Sequence, residues 1–225
     1  HVFVVPGMQI DPLVRALANH ATLTPILANH ELAAGYMADG YARASGGIGA
    51  TFAIGGPGCA NLVGAAVAAK ADRSPVLFVT GNIPLAAQGR GEFQDAGPQG
   101  SNDAGIFDAA VGCSLNCAVA DGLSTMFAQV ERQLQARRPA HVGIAMDVQM
   151  AEVGLDGGVS STPATDAEAL SSIPPRNDWL ANDRVLLVVG VEALAVADAV
   201  RSAAARFNWA VATDSGARGI MDEGE

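Results

Sequence analysis

Basic charge is what this sequence has least of. Its 225 residues carry 13 Lys and Arg against 23 Asp and Glu, a net charge of -10. A nucleic-acid surface is therefore not expected, because phosphate binding relies on clustered bases. Long hydrophobic runs are missing too: none reaches membrane-span length, no signal-peptide pattern is visible, and no membrane partner is expected. Cysteine is scarce, with only Cys59, Cys113 and Cys117. A Cys-x3-Cys pair without a second pair or a nearby His is a poor zinc site, so no metal ligand is assigned. The three read as reduced thiols of a cytoplasmic protein. There is no P-loop, no Rossmann glycine pattern, no Gly-x-Ser-x-Gly elbow and no HExxH, and the four histidines are dispersed.

What the chain does have is apolar material for a core. Half its residues are hydrophobic and only 16% charged, a composition that argues against disorder. Short β-rich runs alternate with helical ones. Strands are expected over 2–5, 25–28, 50–54, 76–80 and 141–147. Helices are expected from Asp11-Pro12, from Glu31, over 59–72 and over 123–136. The strands are near-continuous apolar runs, which suits an α/β fold: a doubly wound, mostly parallel sheet with helices on both faces. Residues 1–152 form this unit. Residues 153–180 are rich in Gly, Ser, Thr, Pro and acids, the chemistry of a linker. A second βαβ pattern then opens over 181–225, with a strand in RVLLVVGV, a helix over 192–206 and a strand in WAVATD. It is too short for an independent core, so it reads as the truncated start of a further domain. The chain starts at His1 without Met and enters a strand at once, so something upstream is expected as well.

Three places could carry chemistry. The stretch NHELAAGYMADGYAR (Asn29–Arg43) puts the carboxylate of Glu31 at the head of a helix of small and apolar residues. The face Leu32, Gly35, Tyr36 and Ala38 is expected to leave little room for solvent. A lone acid there costs free energy unless it is neutral or specifically partnered; an acid in a helix first turn also simply complements the macrodipole. His30 beside it is ambiguous, while His20 and His141 read as helix-end and strand-start residues. The Gly55-Gly56-Pro57-Gly58 turn, between a strand and a helix, is either a tight structural turn or a ligand site with free N–H groups. The loop Gly89–Gly100, holding Phe93, Gln94 and Asp95, is either a mobile surface loop or a functional one.

Taken together, VPG (Val5–Gly7), HE followed by ADGYARASG, GGPGCAN, VTGNIP (Val79–Pro84) and EFQD resemble the N-terminal pyrimidine-binding domain of thiamine-diphosphate (ThDP) enzymes of the acetolactate synthase and 2-keto-acid decarboxylase type. The spacing of Pro6, Glu31 and Pro57 agrees with that family, and RVLLVVGVEAL to ATDSGARGIMDE looks like the opening of its central domain. The resemblance implies an enzyme, a lyase or transferase that decarboxylates or ligates 2-keto acids. It makes Glu31 the catalytic glutamate that hydrogen-bonds N1′ of the aminopyrimidine. It places Val5, Pro6, Gly7, Ile54, Pro57 and Asn61 around that ring, and Met8, Phe93 and Gln94 at the substrate pocket, with Gln94 directed into the active site. Mg²⁺ and the diphosphate would be held by a Gly-Asp-Gly…Asn motif that these residues do not contain. In the family that motif comes from another subunit, which implies a homodimer or homotetramer and a fragment inactive by itself. FAD accompanies ThDP in some relatives.

Three positions depart from the pattern. Met8 stands where synthases carry a second Gly, which implies a narrower pocket. Ile54 stands where a hydroxyl residue is frequent, and Asp95 replaces Glu. The paired histidines of pyruvate decarboxylases are not apparent. Two other readings use the same scaffold: a non-catalytic binding or regulatory module, and a nucleotide- or FAD-binding α/β protein.

Overall fold

The computed structural model describes residues 1–119, 123–152 and 184–221. The chain falls into two compact units, His1–Ala164 and Thr165–Glu225. The expected linker over 153–180 lies outside the described residues.

In the first unit six strands form one sheet: β1 (Val2–Val4), β2 (Pro25–Leu27), β3 (Gly49–Ile54), β4 (Val76–Asn82), β5 (Ser114–Cys117) and β6 (Ala140–Ala145). Every pairing is parallel, in the order β2-β1-β3-β4-β6-β5. Parallel neighbours need crossovers, and helices supply them. They are α1 (Asp11–Ala18), α2 (Glu31–Ser45), α3 (Pro57–Ala71), α4 (Asp103–Val111) and α5 (Leu123–Gln135), and the single turn α6 (Met146–Gln149) follows the last strand.

Both faces of the sheet are covered, as expected for a doubly wound fold. Helices α2, α3 and α4 enclose one core with Ala38, Leu62, Ala66, Phe78 and Phe107. The opposite face buries Val79, Val130, Leu134 and Val142, and beside them Val4, Ile10 and Leu17. Strand β6, between β4 and the edge strand β5, is buried at every residue, which is why its sequence shows no alternation. Small residues set how closely α2 and α3 pack: a Cβ on Gly35 would stand 2.5 Å from that of Ala65.

Several boundaries differ from expectation. Helix α3 begins at Pro57, two residues early, because Pro is pre-set for the first helical position. Strand β4 runs on through Gly81 and Asn82, which pair with Ile144 and Ala145. The chain turns helical at Met146, where a strand was expected to continue to Asp147. Helix α4 and strand β5 were not anticipated at all. In the second unit β7 (Leu186–Val189) and β8 (Ala210–Thr213) pair in parallel around the helix Ala197–Phe207, preceded by a 3-10 segment over Val191–Val196. Val189, Ala217 and Ile220 form its core.

Candidate functional site

Connections leave β1 in two directions. One runs through α1 to β2 on one side, and the chain then crosses through α2 to β3 on the other. The carboxyl ends of β1 and β3 therefore flank a topological switch point, where open α/β sheets place ligands. Val5–Gly7 leaves β1 at that point and Gly55–Gly58 leaves β3. Glu31 is the first residue of α2, whose N-cap is His30: its Nδ1 accepts the Leu32 N–H at 3.1 Å. His30 thus ends the helix that presents the acid, a capping task an imidazole can perform with a bare nitrogen.

The Glu31 carboxylate turns toward the two strand ends. Asn61, one turn into α3, donates from Nδ2 to Glu31 Oε2 at 2.9 Å. Oε1 lies 3.5 Å from where a Cβ on Gly58 would stand, and Ile54 Cγ1 lies 2.9 Å from the same point. On its other side the Ile54 side chain occupies the space a Cβ on Gly7 would need. Gly7, Ile54, Gly58, Glu31 and Asn61 thus close into one group, and the two glycines are what lets it close. Val5 donates its N–H to the Phe52 carbonyl at 3.1 Å, which ties the VPG segment to β3. Pro6 and Pro57 are exposed at the edge of the group. Met8 and Phe93 stand farther into solvent, 70% and 83% exposed.

The turn after β3 is held from below. Gly55 donates its N–H to Gln9 Oε1 at 2.8 Å, and Gly56 donates to Asp103 Oδ2 at 2.9 Å. These two N–H groups of the turn are engaged by side chains of this chain. Gly56 has φ 62 and ψ -114, a conformation natural only to glycine. Asp103 also accepts from the Ser101 hydroxyl and the Cys59 thiol. Burial pushes its carboxyl above the usual range in spite of these bonds. Burial, and then the Asp103 charge, pushes the Cys59 thiol upward, which leaves it inert as a nucleophile.

Residues 1–101 match the family described as thiamine pyrophosphate enzyme, N-terminal TPP binding domain. They belong to that family. The family match covers the switch-point site and strands β1 to β4 of the sheet. A probable acetolactate synthase large subunit of Methanococcus aeolicus is 33% identical over 157 residues, 69% of this chain and 25% of that protein. A probable 2-ketoarginine decarboxylase of Pseudomonas aeruginosa is 31% identical over 232 residues, 98% of this chain and 40% of that protein. The mitochondrial acetolactate synthase catalytic subunit of Saccharomyces cerevisiae is 42% identical over 95 residues, 42% of this chain and 14% of that protein. The chain thus spans less than half the length of these curated relatives.

Within this thiamine pyrophosphate enzyme N-terminal domain, two expectations about surroundings need correction. Glu31 is half-buried, and Leu32 and Tyr36 are exposed rather than enclosed. Helix α3 covers the Gly35 and Ala38 side of α2 and touches the stripe only where Leu32 crosses Gly64, so much of the Leu32–Tyr36 stripe faces outward. The loop Gly89–Gly100 is no loose surface segment at its centre. Asp95 is buried and accepts from the N–H groups of Gly89 and Gly97, at 2.6 and 2.8 Å. Its main chain is pinned as well, since Ala96 donates to Asn82 Oδ1 at 2.9 Å.

Sequence reasoning missed Gln9 and Asp103. The signal for Gln9 was a lone amide between Met8 and Ile10, in a segment that otherwise reads as buried. Asp103 had no comparable signal, because it follows a polar, glycine-rich stretch.

Proposed function

We propose that this chain supplies the aminopyrimidine half of a ThDP site in an enzyme acting on 2-keto acids, with Glu31 as its catalytic acid. The observation that supports this most directly is the Glu31 carboxylate held at the β1/β3 switch point over the Gly58 backbone. The local residues fit such a ring. Ile54, between Gly7 and Gly58, offers an apolar floor, and Val5–Gly7 and Pro57 frame it. A Cβ at Gly7 or Gly58 would fill part of that cradle. Bound ThDP supplies the nucleophilic carbon that adds to a keto carbonyl. The chain's own task is to orient the ring and to hold or release a proton at Glu31. Asn61 engages Oε2, so the proton exchanged with the ring belongs to Oε1.

Mg²⁺ and the diphosphate are assigned to residues outside those described, an assignment supported by the engagement of the Gly55 and Gly56 N–H groups. The exposed Leu32, Tyr36 and Val67 support a second protein surface over this face, as in a homodimer or homotetramer. A 2-keto-acid decarboxylase and acetolactate synthases among the relatives support the substrate class, for decarboxylation or ligation. The test is Glu31→Gln in the full-length protein. Proton exchange at C2 of bound ThDP should slow by about 10²- to 10⁴-fold. Exchange at the wild-type rate would remove Glu31 from the mechanism.

A further inference from the structure

Gln9 lies in the 3-10 turn Met8–Ile10 that follows β1, and its side chain is 2% exposed. Both ends of its amide are used. Oε1 accepts the Gly55 N–H at 2.8 Å, and Nε2 donates to the Gln94 carbonyl at 2.9 Å. Its own carbonyl accepts from Gln149 Nε2 at 2.7 Å, and the missing Cβ of Gly81 makes room for that carbonyl against β4. The amide is thereby fixed at both the backbone and the tip.

Gln94 is the residue that gains most from this anchoring. It has φ 56, a left-handed conformation that side chains other than glycine seldom adopt. Its Cα and Cβ both stand 4.0 Å from where a Cβ on Gly56 would be, so the loop residue rests against the turn that underlies Glu31. Among the described residues, Gln9 is the one side chain that bonds to both. At neutral pH an amide does so where an ionised carboxylate or an apolar side chain cannot. A carboxylate has no donor for the Gln94 carbonyl, and an apolar side chain leaves the buried Gly55 N–H and the part-buried Gln94 C=O without this partner.

We propose that Gln9 is a positioning residue for Gln94: it fixes the loop that presents Gln94 to the keto acid against the turn beneath the cofactor ring. The inference rests on the functional reading above, and it concerns the substrate arm of that site. Gly56 keeps Asp103, and Glu31 keeps Asn61, whatever stands at position 9.

The experiment uses Gln9→Met and Gln9→Glu in the full-length protein, with Glu31→Gln in parallel and pyruvate and 2-ketoarginine as probe substrates. Gln9→Met should speed amide hydrogen exchange across residues 88–100, measured without cofactor. It should raise KM for whichever keto acid is turned over by roughly tenfold to a hundredfold. The Kd for ThDP should stay within about threefold of wild type, since the groups around the ring are untouched. Gln9→Glu keeps the acceptor for Gly55 and, when ionised, lacks the donor for Gln94. Its KM should therefore be raised at neutral pH and should fall toward wild type as acid protonates the new carboxyl, a step Gln9→Met lacks. Wild-type exchange and KM in Gln9→Met would overturn the proposal, as would a loosened loop with unchanged KM, or Gln9→Glu matching Gln9→Met at every pH. Failure of the parent reading shows separately, as unchanged ThDP chemistry in Glu31→Gln.

Discussion

His141 gives a stability prediction that does not depend on any ligand. It is fully buried in β6, stacked on Phe107 at 4.1 Å between ring centres. Its two nitrogens face the hydroxyls of Thr80 at 2.9 Å and Ser114 at 2.7 Å. Two hydroxyls can satisfy a neutral imidazole, one donating and one accepting, but neither carries the charge an imidazolium needs. Burial accordingly pushes its pKa down to about 3, from about 6.5 in an unfolded chain. The native state prefers the neutral ring, so its contribution is complete above pH ~6.5 and is lost as pH falls toward about 3. The slope approaches ~1.4 kcal/mol per pH unit in that window, or roughly 2–3 kcal/mol between pH 7 and pH 4.5. His141→Gln loses the ring stack and should be less stable than wild type at pH 7, by about 1–3 kcal/mol. Its deficit should then shrink on acidification, because only the wild type has a proton to gain. Urea unfolding followed by far-UV circular dichroism from pH 4.5 to 8 reads this directly. The wild-type minus variant difference cancels every other titrating group, Asp103 included. A difference that stays constant across that range would refute the buried neutral imidazole.

Two further perturbations address the turn beneath the site. Gly56→Ala meets no atom closer than 3.9 Å, so its effect isolates backbone strain at φ 62. It should lower stability by roughly 1–3 kcal/mol in thermal unfolding, and an unchanged Tm would contradict the strain argument. Asp103 is raised by burial, so the native state favours its neutral form. That contribution is present at low pH and is lost as pH climbs through the raised value. Asp103→Asn keeps an acceptor for the Gly56 N–H and cannot ionise; relative to wild type it should gain stability as pH rises. Unfolding curves that stay parallel across pH would show the carboxyl to be no less comfortable ionised inside than outside.

Most of the sheet could be read from the sequence because β1, β3, β4 and β6 are near-continuous apolar runs, broken only by residues such as Thr51, Thr80 and His141. Strand β5 could not: its sequence, SLNC, includes Ser and Asn, and as an edge strand it needs no apolar run. Helix α4 hides for a related reason, since Gly105 and the polar approach to it mask its turn-to-turn pattern. The acid of the site was legible as a carboxylate out of place in its segment, and its spacing to Pro6 and Pro57 tied it to the strand ends. Asn61 was expected beside the ring by family likeness, and the structure bonds it to Glu31. The residues that were not legible are those whose partners lie far along the chain. Gln9 serves Gly55 and Gln94, and Asp103 serves Gly56, and no local pattern encodes a bond across such separations. Leu32 and Tyr36 misled for a different reason. Apolar character at helical spacing predicts that a face is covered, without saying whether this chain covers it.

The strand order also sets a schedule for assembly. On a ribosome β4 emerges long before its neighbour β6, so Leu77 waits unpaired for Ala140, and the later-made β5 must wait for β6 as well. Until then the nascent sheet shows an open, apolar border, the kind that recruits wrong partners. Helix α3, made before β4, and the intervening α4 can shield one side of that border early. Vulnerability during synthesis is therefore concentrated on the side that α5 closes last.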